Sequence, residues 1–474
     1  MFRPQDIPDH IFRGYDIRGV VDEDLNQEVM ELLGKGYATF LSRRRINEAV
    51  VGMDNRLTGE IYKKAFIKGL LDCGINVIDF GLGLSQIMYF AQYHYKSNGG
   101  AFLTASHNPK NFNGVKLAVG FSQTMVTKEV QEFRELTKSG KYVRAIKKGS
   151  YRQDDVFPAY KEDILKRVSV NKRFKVVIDS CNGAAGVFVP EILREAGCEV
   201  IEQNTKPDGN FPSGTPDPTE KKVQERLARR VVKEGADIGF SYDADGDRLG
   251  IVDEKGNLIW NDSLVAIFAI DILDYLPNSK IIFNTLCSKQ TPEAIKAAGG
   301  KPVMWMTGHS FIKAKVAEER APFGGELSGH FFFVDNFYGH DDGAISSLRI
   351  LSYLARKNQT LSEVVASLPQ YISSPEIKLG CPDNVKFELI DKQVAGDLKK
   401  LYPKAEYVDI DGIRFETKTK MAIIRASQNG PYITVKYEGK TQEEYNQLKK
   451  QLVDILHQYS VIDFTTGVNV ESLK

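Results

Sequence analysis

The chain has 474 residues, which is too long for one compact core and fits roughly three or four domains. Its hydrophobic share of 42% and charged share of 26% are ordinary for a globular protein, and its net charge of +1 argues against general attraction to nucleic acid or anionic membranes. Because the N-terminus lacks the apolar core of a signal peptide and no apolar run could span a bilayer, we expect a cytoplasmic protein. Five scattered cysteines, none in a CxxC pair, predict reduced structural thiols.

The N-terminal region contains the glycine-flanked motif RGYDIRG, residues 13–19, ahead of a helical pattern over residues 25–41. Glycines beside arginines let the backbone and a guanidinium approach an anion closely. A solvated turn is the alternative for this motif by itself.

An internal repeat follows, in the order strand, turn, helix, glycine and strand. Its first strands are predicted at 49–54 (AVVGMD), 175–181 (KVVIDSC) and 280–286 (KIIFNTL), and its helices are predicted to end at Gly74, Gly197 and Gly299. This order is the signature of a right-handed βαβ crossover in a parallel sheet. Three copies predict three related α/β domains.

The stretch TASHNP, residues 104–109, follows the short apolar run Gly99–Leu103, which reads as a buried strand. Pro109 ends the run because proline lacks an amide donor and restricts the residue before it. Ser106 is therefore predicted on a rigid loop at the end of a strand, where α/β folds usually place their chemistry. On spacing alone, a solvated or helix-capping serine is the alternative.

The stretch DADGDR, residues 243–248, is a tight acidic turn between two apolar strands. Three carboxylates that converge repel one another unless a cation neutralises them, and oxygen ligands suit magnesium. An EF-hand is excluded because Arg248 replaces the glycine at the sixth position and strands flank the loop. A structural acidic turn stays open as an alternative.

Two later loops present polar groups among glycines. GGELSGH, residues 324–330, offers a carboxylate, a hydroxyl and an imidazole, the set needed to bind sugar hydroxyls. After the strand MAIIR (421–425), the loop ASQNG (426–430) and Arg425 form a compact anion cradle. A surface turn and a plain hairpin are the respective alternatives.

Domain borders follow from the repeat and from turn chemistry. The basic, polar stretch 141–154 is predicted as a linker or surface segment, the turn 254–257 as the second border, and a helix around 343–367 as the end of the third domain. Beyond residue 372 strands and amphipathic helices alternate without a further copy of the repeat. The predicted domains are residues 1–154, 155–257, 258–372 and 373–474.

The loops TASHNP, DADGDR, GGELSGH and ASQNG and the motif RGYDIRG resemble the active-site loops of the α-D-phosphohexomutases, the phosphoglucomutase/phosphomannomutase family. The resemblance is strongest to the bacterial members. The resemblance covers essentially the whole chain, with one loop in each predicted domain and in the family order. It implies three α/β domains with mixed, largely parallel sheets and a smaller C-terminal α+β domain around a central cleft. Asn429 departs from the family pattern, since a threonine is more common at this position of the phosphate loop.

The resemblance implies reversible phosphoryl transfer between the 1- and 6-positions of glucose and mannose phosphates, through a phosphoserine and a hexose 1,6-bisphosphate. Mg²⁺ is the implied cofactor and glucose 1,6-bisphosphate the implied activator. The metal ligands would be Ser106, Asp243, Asp245 and Asp247. The implied catalytic residues are Ser106, Arg18 and Arg248, with His107, Lys116 and His330 unranked for proton transfer or charge stabilisation. The implied substrate-binding residues are Lys289, His309, Glu326, Ser328, Arg425, Ser427, Gln428 and Asn429.

Other functions remain as alternatives: a phosphoglucosamine mutase of the same family, a sugar phosphatase, or a non-catalytic sugar-phosphate-binding regulator. Against the first, Leu327 stands where phosphoglucosamine mutases usually have glutamine, and leucine offers an amine no polar contact. Hexose phosphates are the expected partners of a monomeric protein, with no nucleic acid and no membrane.

Overall fold

The computed structural model describes residues 3–428 and 430–473. It comprises two compact units: a first unit of Met1–Ile259 with Ser328–Ser362, and a second unit of Trp260–Leu327 with Glu363–Lys474. Across the described residues, no helix has both the length and the apolar character needed to cross a membrane.

The first unit opens with a mixed sheet. Its strands are β1 (Ile17–Val20), β2 (Glu48–Met53), β3 (Asn76–Leu82), β4 (Gly99–Leu103), β5 (Phe112–Gly120), β6 (Gln123–Thr124) and β7 (Tyr151–Gln153), and its helices are α1 (Gln27–Arg43), α2 (Gly59–Asp72), α3 (Ser85–Tyr95) and α4 (Thr127–Ser139). The order is β1-β5-β4-β2-β3-β7, with β6 paired to β5. β2 runs parallel to β3 and β4, whereas β5 runs antiparallel to β1 and β4.

Helices α1 and α2 pack against each other at two glycines. A Cβ at Gly34 would lie 2.2 Å from the Phe66 carbonyl oxygen, and one at Gly69 would lie 2.3 Å from the Glu31 carbonyl oxygen. The two backbones therefore approach more closely than any side chain would allow, and the buried Phe40 and Phe66 fill the adjoining core.

A second mixed sheet of the first unit carries the acidic loop. Its strands are β8 (Lys175–Asp179), β9 (Glu199–Gln203), β10 (Ile238–Tyr242), β11 (Leu249–Asp253) and β12 (Leu258–Ile259), and its helices are α5 (Phe157–Arg167), α6 (Ala185–Glu195) and α7 (Lys221–Glu234). The order is β12-β11-β10-β8-β9, with β8 parallel to β9 and β10 and with β10 antiparallel to β11. The strand Phe331–Phe333 and the helix Gly343–Lys357 also belong to the first unit.

The second unit contains two further sheets. In one, the strand Lys280–Asn284 lies between Lys301–Trp305 and Phe323–Gly325 and runs parallel to both. Its helices are Asn261–Leu273, Gln290–Ala297 and His309–Glu319.

The C-terminal sheet pairs its strands antiparallel. The strands are Ile372–Ser373, Ile377–Gly380, Glu406–Val408, Ile413–Glu416, Lys420–Ala426, Tyr432–Gly439 and Asp463–Val468. The helical segments are Lys386–Glu388, the π-helical turn Leu389–Val394, Ala395–Leu401 and Gln442–Leu456. Buried apolar side chains of this sheet and its helices form a separate core.

The predicted repeat is confirmed. Each copy pairs its two strands in parallel: β2 with β3, β8 with β9, and Lys280–Asn284 with Lys301–Trp305. The three predicted terminating glycines have left-handed φ values of +86°, +91° and +78° at Gly74, Gly197 and Gly299. The predicted fold class, three α/β domains followed by a sheet-rich C-terminal domain, is confirmed with them.

One local prediction was correct only in part, and another was wrong. The stretch 141–154, predicted as a linker or surface segment, includes the exposed strand β7, which extends the first sheet by pairing in parallel with β3. The helix predicted over 343–367 is divided into Gly343–Lys357 and Leu361–Ala366, because Asn358 adopts a left-handed φ of +50° that ends the first helix. The domain borders stay predictions.

The cysteines are free and buried. Burial raises the pKa of the Cys198 thiol to about 11, which keeps it protonated and unreactive at neutral pH. These surroundings agree with the structural role predicted for the cysteines.

Candidate active site

Ser106 lies on the loop between β4 and β5. Its φ of +49° falls in the left-handed region that residues other than glycine rarely adopt, and the residue is 1% exposed. Its N–H donates to Thr104 Oγ1 at 2.8 Å, and its hydroxyl donates to Asp243 Oδ2 at 2.7 Å. The loop thus holds the hydroxyl toward the acidic loop in a backbone conformation that costs energy.

The acidic loop turns between the antiparallel strands β10 and β11. Gly246 supplies the left-handed turn residue with a φ of +74°. Asp243, Asp245 and Asp247 are all buried, and one carboxylate oxygen of each lies within 4.8 Å of the other two. The convergence that the spacing predicted is present.

Burial, followed by the charges of Asp245 and Asp247, raises the pKa of Asp243 well above its usual range. Burial also acts to raise the pKa of Asp245, but the Lys116 ammonium outweighs it and lowers that pKa. Lys116 Nζ donates to Asp245 Oδ2 at 2.7 Å, to Asp247 Oδ2, and to Ser85 Oγ at 3.0 Å. This ammonium offsets part of the negative charge of the three carboxylates.

The acidic loop fits a divalent metal ion. Asp245 Oδ1 and Asp247 Oδ1 are buried and have no hydrogen-bond partner within the part of the chain that the structure describes. Such oxygens are costly to bury unless something binds them, and oxygen donors suit magnesium. His330 and Asp341 also approach Asp247, but the imidazole is engaged elsewhere, so the three aspartates are the better candidate.

Two guanidinium groups stand beside these loops. Arg18, on β1, donates from Nη2 to Asp16 Oδ2 at 2.8 Å and from Nη1 to Asn108 Oδ1 at 2.9 Å, which places it at the serine loop. Arg248 donates from Nε to His330 Nε2 at 3.0 Å. Both are buried, and Arg248 Nε lies 3.7 Å from Asp243 Oδ2, so positive charge stands at the serine loop and at the acidic loop, an arrangement that can stabilise a phosphoryl group.

The three candidates for proton transfer have different surroundings. His330 Nδ1 lies 2.7 Å from Asp341 Oδ2, and because Nε2 accepts from Arg248, the ring proton of the neutral imidazole is on Nδ1 in this arrangement. His107 Nδ1 lies 3.4 Å from Ser106 Oγ. Lys116 is held by carboxylates, and the Asp245 and Asp247 charges outweigh its burial and raise its pKa well above the usual range, so it stays charged.

In the second unit, Asp411 joins the loop after Arg425 to two other loops. Arg425 donates from Nε to Asp411 Oδ2 at 2.8 Å. The same oxygen accepts from Thr307 N at 2.8 Å and from Thr285 Oγ1 at 3.0 Å. Arg425 is 4% exposed at the end of its strand, so this carboxylate fixes a guanidinium that is largely withdrawn from water.

Two other predicted residues of the second unit, Glu326 and Lys289, are held by hydrogen bonds. Glu326 Oε1 accepts from Gly308 N at 2.7 Å, which ties it to the residue before His309. Lys289 Nζ donates to Glu416 Oε2 at 3.0 Å. The structure therefore places Glu326 beside the His309 loop.

The remaining predicted residues differ in burial. Ser427 is buried, and its N–H donates to Tyr432 O at 3.0 Å. Gln428 is half-buried, and Asn429 lies outside the described residues. Ser328 is half-buried and opens the later segment of the first unit.

Sequence reasoning missed several buried residues of these sites. They are Asp54 and Arg56 after β2, Thr104 before Ser106, Asp341 beside His330, and Asp411 beside Arg425. The position of Asp54 and Arg56, directly after the first strand of the repeat, is the signal that could have found them, because the ends of parallel strands share one edge of a sheet.

Comparison with known proteins covers most of the chain. The three α/β/α domains of phosphoglucomutase/phosphomannomutase match residues 9–143 (domain I), 158–256 (domain II) and 260–371 (domain III). The matches follow the order of the repeat copies along the chain.

Individual relatives match over nearly their full length. A phosphomannomutase/phosphoglucomutase of Pseudomonas syringae pv. tomato is 35% identical over 443 residues, which cover 94% of this chain and 94% of the relative. A phosphoglucomutase of Neisseria gonorrhoeae is 32% identical, with 94% and 96% covered. The crystal structure of a phosphoglucomutase/phosphomannomutase family protein from Burkholderia thailandensis superposes with a TM-score of 0.87 at 31% identity, covering 95% of this chain and 98% of that one. This chain belongs to the phosphoglucomutase/phosphomannomutase family.

Proposed function

We propose that this enzyme moves a phosphoryl group between the 1- and 6-positions of hexose phosphates by way of phosphorylated Ser106. The observation that carries the proposal is the direction of the Ser106 hydroxyl. It is buried, held in a strained backbone conformation and hydrogen-bonded at 2.7 Å to Asp243, one of three convergent aspartates. A serine that only caps or solvates a loop needs neither the strain nor the carboxylates.

In the first step, the bond between phosphorus and Ser106 Oγ breaks while a bond forms between phosphorus and O6 of a hexose 1-phosphate. The O6 proton passes to His330 Nε2, and the released Ser106 oxygen takes a proton from His107, its neighbour at 3.4 Å. The hexose 1,6-bisphosphate then returns its 1-phosphoryl group to Ser106 by the reverse proton movements, leaving hexose 6-phosphate. Atoms and charge balance over the cycle.

His330 is the best supported proton acceptor. The carboxylate of Asp341 lies 2.7 Å from Nδ1, where it orients the ring and stabilises the imidazolium that forms. Arg248 donates to Nε2, so it has to leave that nitrogen before a sugar hydroxyl can take its place. A phosphoryl group on Ser106 gives the guanidinium a stronger partner than a neutral imidazole.

Asp243, Asp245 and Asp247, together with an oxygen of phosphorylated Ser106, would hold Mg²⁺. When bound, the ion supplies positive charge that stabilises the phosphoryl group during transfer. Arg18 and Arg248 contribute charge of the same sign, and Lys116, which donates to Asp245 and Asp247, offsets part of the negative charge of these two carboxylates. Glucose 1,6-bisphosphate is the expected activator because it restores the phosphoserine.

Arg425 and Ser427 are proposed to hold the phosphate that does not react, together with Lys289, His309, Gln428 and Asn429. Glu326 and Ser328 are proposed to bind the sugar 3- and 4-hydroxyls. Glucose and mannose phosphates differ only at carbon 2, so both are expected substrates. Glucosamine phosphate is expected to be poorer, because Leu327 offers its amine no polar group and a buried polar group left unpaired costs about 1–3 kcal/mol.

One assay tests this function. Purified protein is incubated with glucose 1-phosphate, mannose 1-phosphate or glucosamine 1-phosphate, with magnesium and a trace of glucose 1,6-bisphosphate, while the 6-phosphate isomer and free phosphate are both measured. We expect isomer without stoichiometric free phosphate, and glucose and mannose specificity constants within a modest factor. Free phosphate alone would indicate a phosphatase, and no change in any of the three sugars would contradict the mutase proposal.

We also propose that the protein is a cytoplasmic monomer. The elution volume of the purified full chain in size-exclusion chromatography measures its oligomeric state. A dimer volume at micromolar concentration would contradict it.

A further inference from the structure

Arg56 holds the serine loop through its backbone. Nη2 donates to the carbonyl oxygens of Ser106 and Asn108, each at 2.7 Å, and Nη1 donates to those of Pro109 at 2.8 Å and Phe112 at 2.9 Å. A guanidinium has five N–H donors, and four of them are spent on this one loop. The residue is 3% exposed.

The fifth donor is also used. Arg56 Nε donates to Asp54 Oδ2 at 3.2 Å, and the Arg56 N–H donates to Asp54 Oδ1 at 3.0 Å. Asp54 Oδ2 also accepts from Thr104 Oγ1 at 2.7 Å, and that hydroxyl oxygen accepts from Ser106 N at 2.8 Å. The carboxylate therefore links the guanidinium to the residue that starts the serine loop.

The loop between β9 and α7, which carries Gly209 and Phe211, covers Arg56 and Asp54. All of these residues belong to the first unit. The Phe211 ring centroid lies 5.2 Å from Arg56 Cζ, and the Phe211 residue is 5% exposed. A Cβ at Gly209 would lie 2.7 Å from the Asn55 carbonyl oxygen, so the loop packs directly on the turn that carries Arg56. Water is kept from the guanidinium, and in a low-dielectric setting its hydrogen bonds are stronger than in solvent.

We propose that Arg56 is a positioning residue that fixes the direction of the Ser106 hydroxyl. The left-handed φ of +49° at Ser106 persists only where the surroundings over-determine it, and four hydrogen bonds to the carbonyls of residues 106–112 supply that constraint. Released from them, the loop relaxes toward negative φ and the hydroxyl turns away from Asp243. Phosphoryl transfer depends on alignment of the attacking and leaving oxygens, so misplacement costs turnover rather than substrate binding.

The test is Arg56→Lys in the full chain. The lysine ammonium has three N–H donors, so it cannot replace the five hydrogen bonds that the planar guanidinium makes to four carbonyls and a carboxylate. Since the inference about turnover rests on the proposed mutase function, the primary readout is hydrogen–deuterium exchange of peptides spanning residues 104–113. We expect exchange there to accelerate at least about tenfold, kcat to fall by about 100-fold and KM to change less than about threefold.

Arg44→Lys is the matched control. Arg44, at the end of α1, also binds a carboxylate and a backbone carbonyl, those of Glu132 and Phe40, and its guanidinium stacks on a phenylalanine ring. It should leave kcat and exchange at residues 104–113 unchanged. If Arg56→Lys does not fold, Phe211→Leu is measured in its place. This variant keeps every hydrogen bond of Arg56 but exposes its guanidinium to water. We expect faster exchange at residues 104–113 and a kcat about 3- to 10-fold lower.

Unchanged exchange at residues 104–113 in a folded Arg56→Lys, or in Phe211→Leu where that variant is used, would overturn the inference. An equal loss of kcat in Arg44→Lys would do so too, since the effect would then follow general destabilisation. Accelerated loop exchange in a protein that lacks isomerase activity would support the positioning role of Arg56 and refute the proposed mutase instead.

Discussion

The serine loop of the first unit and the binding loops of the second unit are held in different ways. Ser106 sits in a strained backbone conformation that Arg56 secures through carbonyl oxygens, so the constraint acts on the chain itself. Arg425 donates to the carboxylate of Asp411, which also accepts from Thr307 and so connects two loops. The bonds of Arg56 fix the direction of the Ser106 hydroxyl, whereas the bond to Asp411 fixes the position of the Arg425 charge.

A further buried arginine of the second unit, Arg414, makes the contrast sharper. Arg414 is fully buried and donates from Nη1 to the carbonyl oxygens of Thr285 and Cys287, both at 2.6 Å. Its other donors go to Glu416, which also accepts from Lys289. Here the arginine fixes a carboxylate that in turn orients a lysine. Arg414 therefore positions a side chain, whereas Arg56 positions the backbone of a strained loop.

This difference matches the demands of the proposed chemistry. An oxygen that must attack or leave in line tolerates little displacement, whereas a phosphate that is only bound requires charge and donors in about the right place. We therefore expect changes in the first unit to lower kcat and changes in the second unit to raise KM.

The largest effect is expected for Ser106→Ala. Without the oxygen that carries the phosphoryl group, turnover should fall by roughly 10⁴-fold or more, while the protein stays folded. Intact-mass analysis of the wild type should show a species one phosphoryl group heavier, which the variant should lack. Ser180→Ala, a buried serine that donates to the Asn204 carbonyl, is the control and should keep both the heavier species and turnover. Full turnover in Ser106→Ala would refute the phosphoenzyme.

The next largest effect is expected for Asp245→Asn. Loss of one of three convergent carboxylates should weaken magnesium binding at least about tenfold in calorimetry and should reduce turnover with it. Asp237→Asn removes an exposed carboxylate just before β10 and should change neither quantity. A wild-type rate that withstands EDTA would show that the acidic loop needs no metal.

Much of this organisation could be predicted from the sequence because it is local. Pro109 after a strand predicts the serine loop, and alternate aspartates in a tight turn predict converging carboxylates. The three glycines that end the repeat helices predict the parallel sheets, and the structure confirms them.

What could not be predicted depends on contacts between distant parts of the chain. Arg56 binds the backbone of residues 50 and more positions away, and carbonyl oxygens leave no trace in a sequence. The carboxylate of Asp411 accepts from Thr307 N and Thr285 Oγ1, which lie 104 and 126 positions earlier in the chain. The edge strand β7 was not predicted because the basic, polar residues around it are typical of a linker or surface segment, and its three residues are exposed.

A smaller effect, on KM rather than on kcat, is expected for Arg425→Ala. Its proposed partner is the phosphate that does not react, so KM should rise roughly tenfold or more with little change in kcat. Asp411→Asn keeps the guanidinium but loosens it, and should raise KM by a smaller factor. Steady-state kinetics with glucose 1-phosphate measure both. An unchanged KM in Arg425→Ala would show that the loop is only a structural hairpin.

The smallest effects concern pH, and they should differ in sign between the two units. Burial raises the pKa of Asp342, in the first unit, from its ordinary 3.8 to about 7, although Ile345 N and Tyr160 donate to it. Burial alone would raise the pKa of Glu416, in the second unit, but Arg414 and Lys289 outweigh it and lower that pKa below its ordinary 4.5. Asp342 thus favours its neutral form in the folded state, and Glu416 its charged form.

The signs follow from proton linkage. The folded state holds the Asp342 proton more tightly than the unfolded chain, so its contribution to stability is complete below pH 3.8 and declines as the pH rises through 7, by at most about 1.4 kcal/mol per pH unit. The contribution of Glu416 is complete above pH 4.5 and declines as the pH falls through its folded pKa. Thermal unfolding measured from pH 3.5 to 8 separates them. Asp342→Asn, which keeps an acceptor for Ile345 N, should flatten the curve between pH 3.8 and about 7, and Glu416→Gln should flatten it below pH 4.5. If Asp342→Asn keeps the wild-type slope above pH 5, the buried carboxyl is charged in the folded protein, and the first unit lacks the pH response that distinguishes it from the second.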